Sequence, residues 1–364
     1  MTGNKIATQI KPQRESNFEL LRLVSMLFII LHHFIIHGLK IAGYPIEDDI
    51  TFLGVAFNSF FVIGVNTFIL VSGYYGIKAN YRKFFRLYIM CAFYLLLFNG
   101  FSFLRDGFHL KQLGFIFPFE YSQYWFIQSY LYLFLLSPFL NKIVNNCNKK
   151  EFTVLLLIGC ILTFYFGYLW GGYTSGGGYN FINFMFLYLI GRFIALHTTN
   201  IKSGKKKWIS MSIYILCSLI IVGFVEFIFH IGKQNLIWKI GYYYNSPLVI
   251  TSSVAFFLFF RNLKIQSKII NWAAISVLAV YLVHENAFVS KYLYKYVASL
   301  GEQISNSFML GVVLFSFAVG ILVVCILFDK VRMVITNPIE KKLNKIPWES
   351  YFDKFVESVN RRIK

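Results

Sequence analysis

Residues 18–38, FELLRLVSMLFIILHHFIIHG, carry the strongest structural signal in this sequence. The stretch is about as long as one crossing of a lipid bilayer and is overwhelmingly apolar, so it predicts a membrane-spanning helix. It nevertheless contains five ionisable residues, Glu19, Arg22, His32, His33 and His37. Because ionisable groups are costly inside a membrane, the same stretch is also the first candidate for a functional site.

Arg22 and His33 share one face of this predicted helix. Turns of about 100° per residue leave them only about 20° apart around the axis and roughly 16 Å apart along it. Glu19 lies three residues before Arg22 and His37 four after His33, which extends the polar stripe at both ends. Each group also has a structural interpretation: an arginine near a helix end can snorkel to lipid headgroups, and a membrane histidine can bond a neighbouring helix.

Composition identifies the whole chain as an integral membrane protein. Of its 364 residues 57% are hydrophobic and only 14% are charged. The net charge of +19 is scattered between apolar spans rather than gathered in one patch, so no nucleic-acid partner is predicted. The five cysteines show no paired spacing, which argues against both a disulfide framework and a metal site.

Ten apolar stretches predict an all-α, polytopic membrane fold with about ten transmembrane helices. They are 18–38, 52–77, 84–104, 124–140, 152–170, 179–198, 208–230, 242–260, 272–296 and 306–328. Most of the 35 lysine and arginine residues fall on one side of this arrangement, together with both termini. Basic segments stay in the cytoplasm, so both termini are predicted to be cytoplasmic.

The predicted layout has three parts. A cytoplasmic N-terminal segment, 1–17, precedes a membrane domain at 18–332, and an amphipathic cytoplasmic tail follows at 333–364. In the tail, apolar residues from Trp348 to Val359 recur at helical spacing among basic ones, which favours a helix lying on the inner leaflet or binding a partner. No soluble catalytic domain is expected.

Arg22, ten intervening residues and His33 reproduce an R-x10-H signature, through which the chain resembles the acyltransferase family 3. These are multi-pass proteins that O-acylate carbohydrates at membranes. Further segments are similar to family motifs: ILVSGYYGI at 69–77, YRKFFRLY at 81–88, YWFIQSYLYLFLLSPFLN at 124–141 and SVLAVYLVHENAF at 276–288. The resemblance covers essentially the whole chain and implies an O-acyltransferase.

The basic segment offers a donor site. Arg82 and Arg86 are four residues apart, hence on one helical face, and their planar guanidinium groups suit the phosphates of coenzyme A. Ordinary positive-inside anchoring is the alternative. The matching family motif places Ser72 beside the donor as well, although a Ser-Gly pair also permits close helix packing.

The remaining candidates concern catalysis and the acceptor. His33 is the expected catalytic base, Arg22 holds the donor, and the membrane carboxylate Glu285 requires a histidine or arginine partner on another helix. The resemblance gives Trp125, Gln128, Tyr281 and His284 to acceptor binding, while Gln128 can equally bond another helix. The oxyanion donor is left open between His284 and a group on the first helix, and direct transfer and an acetyl-histidine intermediate both stay open as well.

The expected function is transfer of an acetyl group from cytoplasmic acetyl-CoA, without a metal, to a cell-surface polysaccharide or a lipid-linked sugar. The resemblance implies the plasma membrane of a bacterium as the location, membrane lipids and the glycan as partners, and either a homo-oligomer or a separate partner protein. The alternative is an exporter or flippase for the same glycan. That class predicts internal repeats and helices broken near the midplane, and neither is expected from this sequence.

Orientation is testable by labelling. We expect a cysteine introduced by Ser175→Cys, in the uncharged loop 171–178, to react with a membrane-impermeant maleimide in intact cells, because this loop lies opposite the basic segments. A Lys206→Cys control, in a segment assigned to the cytoplasm, should react only after permeabilisation. If Ser175→Cys also needs permeabilisation, the ten-span arrangement is wrong.

Overall fold

The computed structural model describes residues 15–39, 49–107, 118–119, 124–172, 176–198, 204–233, 236–348 and 350–351. These residues form helices and turns and contain no β-strand, which confirms the predicted all-α fold. The described α-helices are α1 (Ser16–His33), α2 (Asp49–Phe61), α3 (Gly64–Tyr75), α4 (Tyr81–Asp106), α5 (Trp125–Asn146), α6 (Lys149–Cys160), α7 (Phe181–His197), α8 (Gly204–His230), α9 (Ile237–Tyr242), α10 (Pro247–Arg261), α11 (Lys268–Ala274), α12 (Val277–His284), α13 (Ala287–Gln303) and α14 (Ser307–Leu343). Helices α1 and α6 continue as π-helical segments at Phe34–Gly38 and Ile161–Leu169.

Seven segments among the described residues are long and apolar enough to cross a membrane. They are Ser16–Gly38, Gly54–Tyr75, Tyr81–Arg105, Lys149–Leu169, Lys205–His230, Ile237–Arg261 and Ser307–Leu343. Each overlaps one of the predicted spans, so the chain is a multi-pass membrane protein. Parts of the predicted layout lie outside the described residues, namely 1–14, 173–175 of the glycine-rich loop, and 352–364 of the tail.

The predicted count of ten spans is not confirmed, and the other three stretches show why. Helix α5 lies where the fourth span is expected, but its glutamine, asparagines and tyrosines make it less apolar. Helix α7 replaces the sixth span and has only 17 residues. The ninth predicted span, 272–296, is not one helix: it is broken into α11, α12 and α13.

Asn286 explains the second break in that stretch. Its backbone is extended, and its side-chain oxygen accepts a hydrogen bond from the Phe288 backbone N–H at 3.0 Å. This is the geometry of an N-cap, which begins a new helix and leaves Glu285 just beyond the end of the previous one. The expectation of unbroken helices is therefore wrong here. Apolar periodicity alone does not reveal such a cap inside a continuous hydrophobic run.

The last helix is longer than its predicted span, 306–328. Helix α14 continues to Leu343 with Pro338 inside it. Because proline has no backbone N–H, the helical hydrogen bond to the carbonyl of Val334 is missing at that point. The extension carries Arg332 and Glu340 on a stretch that the prediction divides between the membrane domain and the tail.

Helix α1 lies at the centre of the fold and packs against α2, α3, α10, α11, α12 and α14. Both apolar contacts and hydrogen bonds hold α1 against these neighbours. The Asn17 side-chain amide donates to the Phe260 carbonyl oxygen at 3.0 Å, and the hydroxyls of Ser25 and Thr67 lie 2.6 Å apart. Lipid tails are as apolar as leucine, so such bonds and close packing are what hold membrane helices together.

Helices α3 and α7 approach so closely that their backbones touch at glycines. A Cβ on Gly191 would lie 2.5 Å from the Leu70 carbonyl oxygen and 2.8 Å from the Tyr74 backbone nitrogen. On α3, Gly73 faces the Tyr188 backbone in the same way. The packing interpretation of the Ser72–Gly73 pair therefore holds for its glycine.

We expect Gly191→Ala to lower the thermal unfolding midpoint of the purified protein by several degrees, because overpacking a rigid backbone contact costs about 1–3 kcal/mol. Gly100→Ala is the matched control, since nothing lies within 4 Å of a Cβ built at that helical glycine. It should leave the midpoint unchanged or raise it. Equal midpoints for the two variants would contradict the close packing of α3 and α7.

Candidate active site

Two histidines and a glutamate meet where α1 faces the break between α12 and α13. His33 Nδ1 lies 3.0 Å from Glu285 Oε1 and 3.2 Å from His284 Nε2. His33 and His284 are buried, and Glu285 is nearly so. The sequence predicts that Glu285 pairs with a histidine or an arginine on another helix. In the structure this partner is His33. His284, predicted to bind the acceptor, lies directly against the His33 ring.

The surrounding acceptors determine which imidazole nitrogens carry protons. His284 Nδ1 lies 2.6 Å from the Val280 carbonyl oxygen, which can only accept, so Nδ1 donates and Nε2 of the neutral ring is an acceptor. The two groups that face His33 Nδ1 are then both acceptors, which assigns the proton to that nitrogen. His33 Nε2 consequently keeps its lone pair for reaction with a proton or an acyl carbon.

Tyr294 and His37 complete the cluster. The Tyr294 hydroxyl, on α13, donates a short hydrogen bond to the same Glu285 oxygen that faces His33. The His37 ring centroid lies 5.5 Å from that of His33 and 5.3 Å from that of Tyr294. His37 belongs to the π-helical segment at the end of α1, and such segments inside α-helices recur at functional sites. Unlike the other members, His37 is exposed.

His32 is adjacent to His33 in sequence but makes different contacts. Its Nδ1 lies 2.5 Å from the Asn58 side-chain oxygen on α2, and its ring packs between Tyr242 and Tyr244. The His32 side chain is buried and tied to these neighbours. The helical geometry predicts different directions for the two adjacent histidines, and the contacts agree: His32 faces Asn58, whereas His33 faces Glu285.

His33 lines a narrow cavity of about 20 Å³ between α1, α3, α5 and α12. Its walls are mostly apolar, formed by Met26, Ile29, Val65, Phe68, Trp125, Phe126, Leu278 and Tyr281. Two residues predicted to bind the acceptor, Trp125 and Tyr281, therefore share a cavity with His33. This space has room for about one water molecule.

A larger, charged cavity of about 450 Å³ adjoins the narrow one, because Phe68, Phe126 and Leu278 line both. Its polar lining includes three arginines and two glutamates, Arg22, Arg86, Arg332, Glu19 and Glu340. A neighbouring cavity of about 310 Å³ shares part of this lining and adds two lysines, Lys78 and Lys83. Cations from α1, α4 and α14 are thus gathered at one end of a path that leads to His33.

Three of the predicted donor residues meet in these charged cavities and one does not. Arg22, Ser72 and Arg86 line both of them. Arg82 lines neither, and its Nε donates to the neighbouring Tyr81 hydroxyl at 3.1 Å. Arg22 is paired with Glu19, their closest atoms being 3.3 Å apart, and it lies with the charged cavity rather than with the His33 cluster. Gln128, a predicted acceptor residue, is half-buried on α5 and lines neither the charged nor the narrow cavity.

Several residues at these sites are not predicted from the sequence, among them Arg332 and Tyr294. Arg332 is buried in the charged cavity, and Tyr294 orients Glu285. The signal for Arg332 was present in DKVR at 329–332, where Asp329 and Arg332 are three residues apart on a helix. Nothing in the sequence distinguishes Tyr294 from the chain's other tyrosines.

The ligand atoms of His33, His284 and Glu285 lie within 4.8 Å of one another, a spacing that would also suit a metal ion. The hydrogen bonds already made between these atoms suit proton transfer equally well. The expectation of a metal-free site therefore stays a prediction.

The sequence matches the acyltransferase domain family over residues 15–329, which is most of the chain. The protein belongs to this acyltransferase family. The suspected family membership is confirmed, and the acyltransferase can be described as a multi-pass membrane enzyme. No curated protein and no solved structure matches the chain. The match ends at Asp329, so Arg332 and Glu340 of the acyltransferase lie beyond it.

Proposed function

We propose that this acyltransferase moves an acetyl group from cytoplasmic acetyl-CoA to a hydroxyl of a cell-surface polysaccharide or lipid-linked sugar. The observation that carries the proposal is the pair of adjoining cavities, charged at one end and ending on His33 at the other. Guanidinium groups suit the donor's phosphates, and the narrow cavity suits its thin, uncharged pantetheine arm. The cavity holds only about one water molecule, so this proposal requires its lining side chains to rotate when the arm enters.

The cluster at His33 supplies the acid–base chemistry of direct transfer. His33 Nε2 takes the proton of the acceptor hydroxyl while the oxygen attacks the thioester carbonyl, and the carbon–sulfur bond then breaks. The proton passes from Nε2 to the departing thiolate. Glu285 holds the Nδ1–H and stabilises the imidazolium that forms between these two steps.

The oxyanion requires a donor that lines the same cavity as His33. His284 does not meet this need, because its Nδ1–H is bonded to Val280 and its Nε2 is an acceptor. Trp125 lines the cavity and carries an indole N–H, a donor of the required type. An acetyl group held on His33 Nε2 is the rival route, and it uses the same free lone pair.

The acceptor would approach through a cavity next to Glu285. An open cavity of about 170 Å³ lies between α4 and α13, lined by Asn99, Ser102, Arg105, Asn286, Ala287, Phe288, Lys291 and Tyr292. Amides, a hydroxyl and aromatic rings are the groups that bind sugars, and Asn286 directly follows Glu285. The placement of this face outside the cell follows from the predicted cytoplasmic termini.

The broken stretch α11–α13 also favours the alternative, since transporters use discontinuous helices at their binding sites. Here the break presents Glu285 to His33, a pair that suits acid–base catalysis of acyl transfer. A reaction assay therefore separates the two functions.

We expect purified protein incubated with radiolabelled acetyl-CoA and candidate glycans to label the glycan, and His33→Ala to reduce the rate by about 10²–10⁴-fold, the usual contribution of a general base. His32→Ala should retain much of the activity, because His32 bonds Asn58 and does not line the narrow cavity. A chelator should leave the wild-type rate unchanged.

Thermal unfolding midpoints provide the control that both histidine variants fold. If folded His33→Ala acetylates at nearly the wild-type rate, His33 is not the base, and the case for an enzyme over a transporter is largely lost. Loss of activity on chelation would instead assign His33, His284 and Glu285 to a metal.

We expect Arg86→Gln to raise the KM for acetyl-CoA by about tenfold, because a hydrogen bond to a charged group contributes roughly 1.5–3 kcal/mol. Arg82→Gln is the matched control: the same side chain is removed one helical turn earlier, outside the charged cavities. Equal effects of the two changes would indicate general electrostatic attraction instead of a binding site at Arg86.

A further inference from the structure

Helix α14 brings a third arginine, with its own supporting contacts, into the charged cavity. Arg332 is 4% exposed, and its Nε donates to Asp329 Oδ1 at 2.6 Å while its Nη1 donates to the Thr336 hydroxyl at 2.9 Å. Asp329 is fully buried and also accepts from the Tyr94 hydroxyl on α4 at 2.9 Å. The guanidinium is therefore held in one orientation by groups on two helices.

Stability alone does not account for this arrangement. Removing two charges from water is costly, and well-packed apolar residues in place of a buried ion pair are often neutral or stabilising. A rigid, buried guanidinium at the wall of a cavity is instead the arrangement expected of an anion-binding group.

Glu340 lies between Arg332 and Arg86. Its Oε2 accepts from Arg86 Nε at 3.0 Å, and its Oε1 lies 3.9 Å from Arg332 Nη1. One carboxylate thus directs one oxygen to each of two guanidinium groups that come from different helices. Two oxygens of a phosphate would make the same pair of contacts.

The two arginines beside Glu340 differ in how freely their side chains can move. The Arg86 side chain is 70% exposed, whereas that of Arg332 is 4% exposed. Pro338 lies two residues before Glu340 and removes a helical hydrogen bond there, so the end of α14 bends more easily than an unbroken helix. Glu340 can therefore leave the cavity while Arg332 stays in place.

We infer that Arg332 is a phosphate-binding residue of the donor site and that Glu340 occupies the phosphate position until the donor displaces it. The inference rests on the proposed use of acetyl-CoA. It assigns a role in donor affinity to the C-terminal part of α14, which lies beyond the part of the chain that matches the family. Arg22, Arg86 and Arg332 would then contact the donor's phosphates from three helices.

Calorimetric titration of CoA into the full-length protein in detergent tests both residues. We expect Arg332→Gln to weaken the Kd by about ten- to a hundredfold, and Arg332→Lys by less, because lysine keeps the charge but loses the planar fork. Glu340→Gln should tighten the Kd by about three- to tenfold, since a competing anion is removed. Lys341→Gln, next to Glu340 but outside the charged cavities, is the control for net charge.

A phosphate-free donor, acetyl-pantetheine, identifies what Arg332 recognises. The ratio of kcat/KM for acetyl-CoA to that for acetyl-pantetheine should fall by about ten- to a hundredfold in Arg332→Gln, and by less in Arg332→Lys. If this ratio does not change, Arg332 supports the fold and does not bind the donor's phosphates. Weaker CoA binding by Glu340→Gln would likewise overturn the displacement, because it would make Glu340 a supporting group.

The possible failures are distinguishable. Wild-type protein that does not bind CoA overturns the acetyl-CoA proposal and this inference together. Wild-type protein that binds CoA and keeps its affinity in Arg332→Gln overturns the inference alone. Arg332→Gln can fail to fold because Asp329 loses its partner. In that case Arg332→Lys is the test: weaker CoA binding supports the inference, and unchanged affinity overturns it.

Discussion

The buried contact between His33 and Glu285 governs how the surrounding helices are arranged. An unpaired polar group in an apolar environment costs about 2–7 kcal/mol, and a charged one costs more. Both residues lie within apolar stretches, so they must meet. Their meeting requires α1 to lie beside the junction of α12 and α13, with Glu285 released from regular helix at that depth.

The same constraint extends to the next layer of side chains. The Val280 carbonyl fixes the proton on His284, His284 and Glu285 fix the proton on His33, and Tyr294 holds the Glu285 oxygen. The atoms that make these contacts find their partners inside the protein, where lipid offers none. One nitrogen, His33 Nε2, is left available, and the narrow cavity gives access to this ring from the charged side.

Charged and apolar side chains line different cavities of the molecule. The arginines of α1, α4 and α14 surround the charged cavity. Each lies close to a carboxylate: Glu19 for Arg22, Glu340 for Arg86 and Asp329 for Arg332. The His33 cavity beside it is mostly apolar. This division suits the proposed donor, whose charged phosphates and uncharged arm need different surroundings. The separation of about 16 Å along α1 between Arg22 and His33 matches this division.

Much of this was predictable from local pattern. Composition and run length predict a helical membrane protein, helical periodicity places Arg22 and His33 on one face, and the separation of His32 from His33 follows from the same angle. Spacing on one helix also predicted that Arg82 and Arg86 act together, but only Arg86 lines the charged cavities. A shared helical face does not determine which residue of the pair reaches a cavity, because the neighbouring helices decide where that cavity lies.

The sequence alone establishes that the chain lies in a membrane, that it is helical and that α1 carries a polar stripe, since these depend on properties of single segments. The tertiary structure alone joins His284 and Glu285 to His33, and brings Arg332 and Glu340 beside Arg86. These contacts link residues about 250 positions apart in sequence. They form because buried polar groups must find partners, and three-dimensional packing determines which partners are within reach.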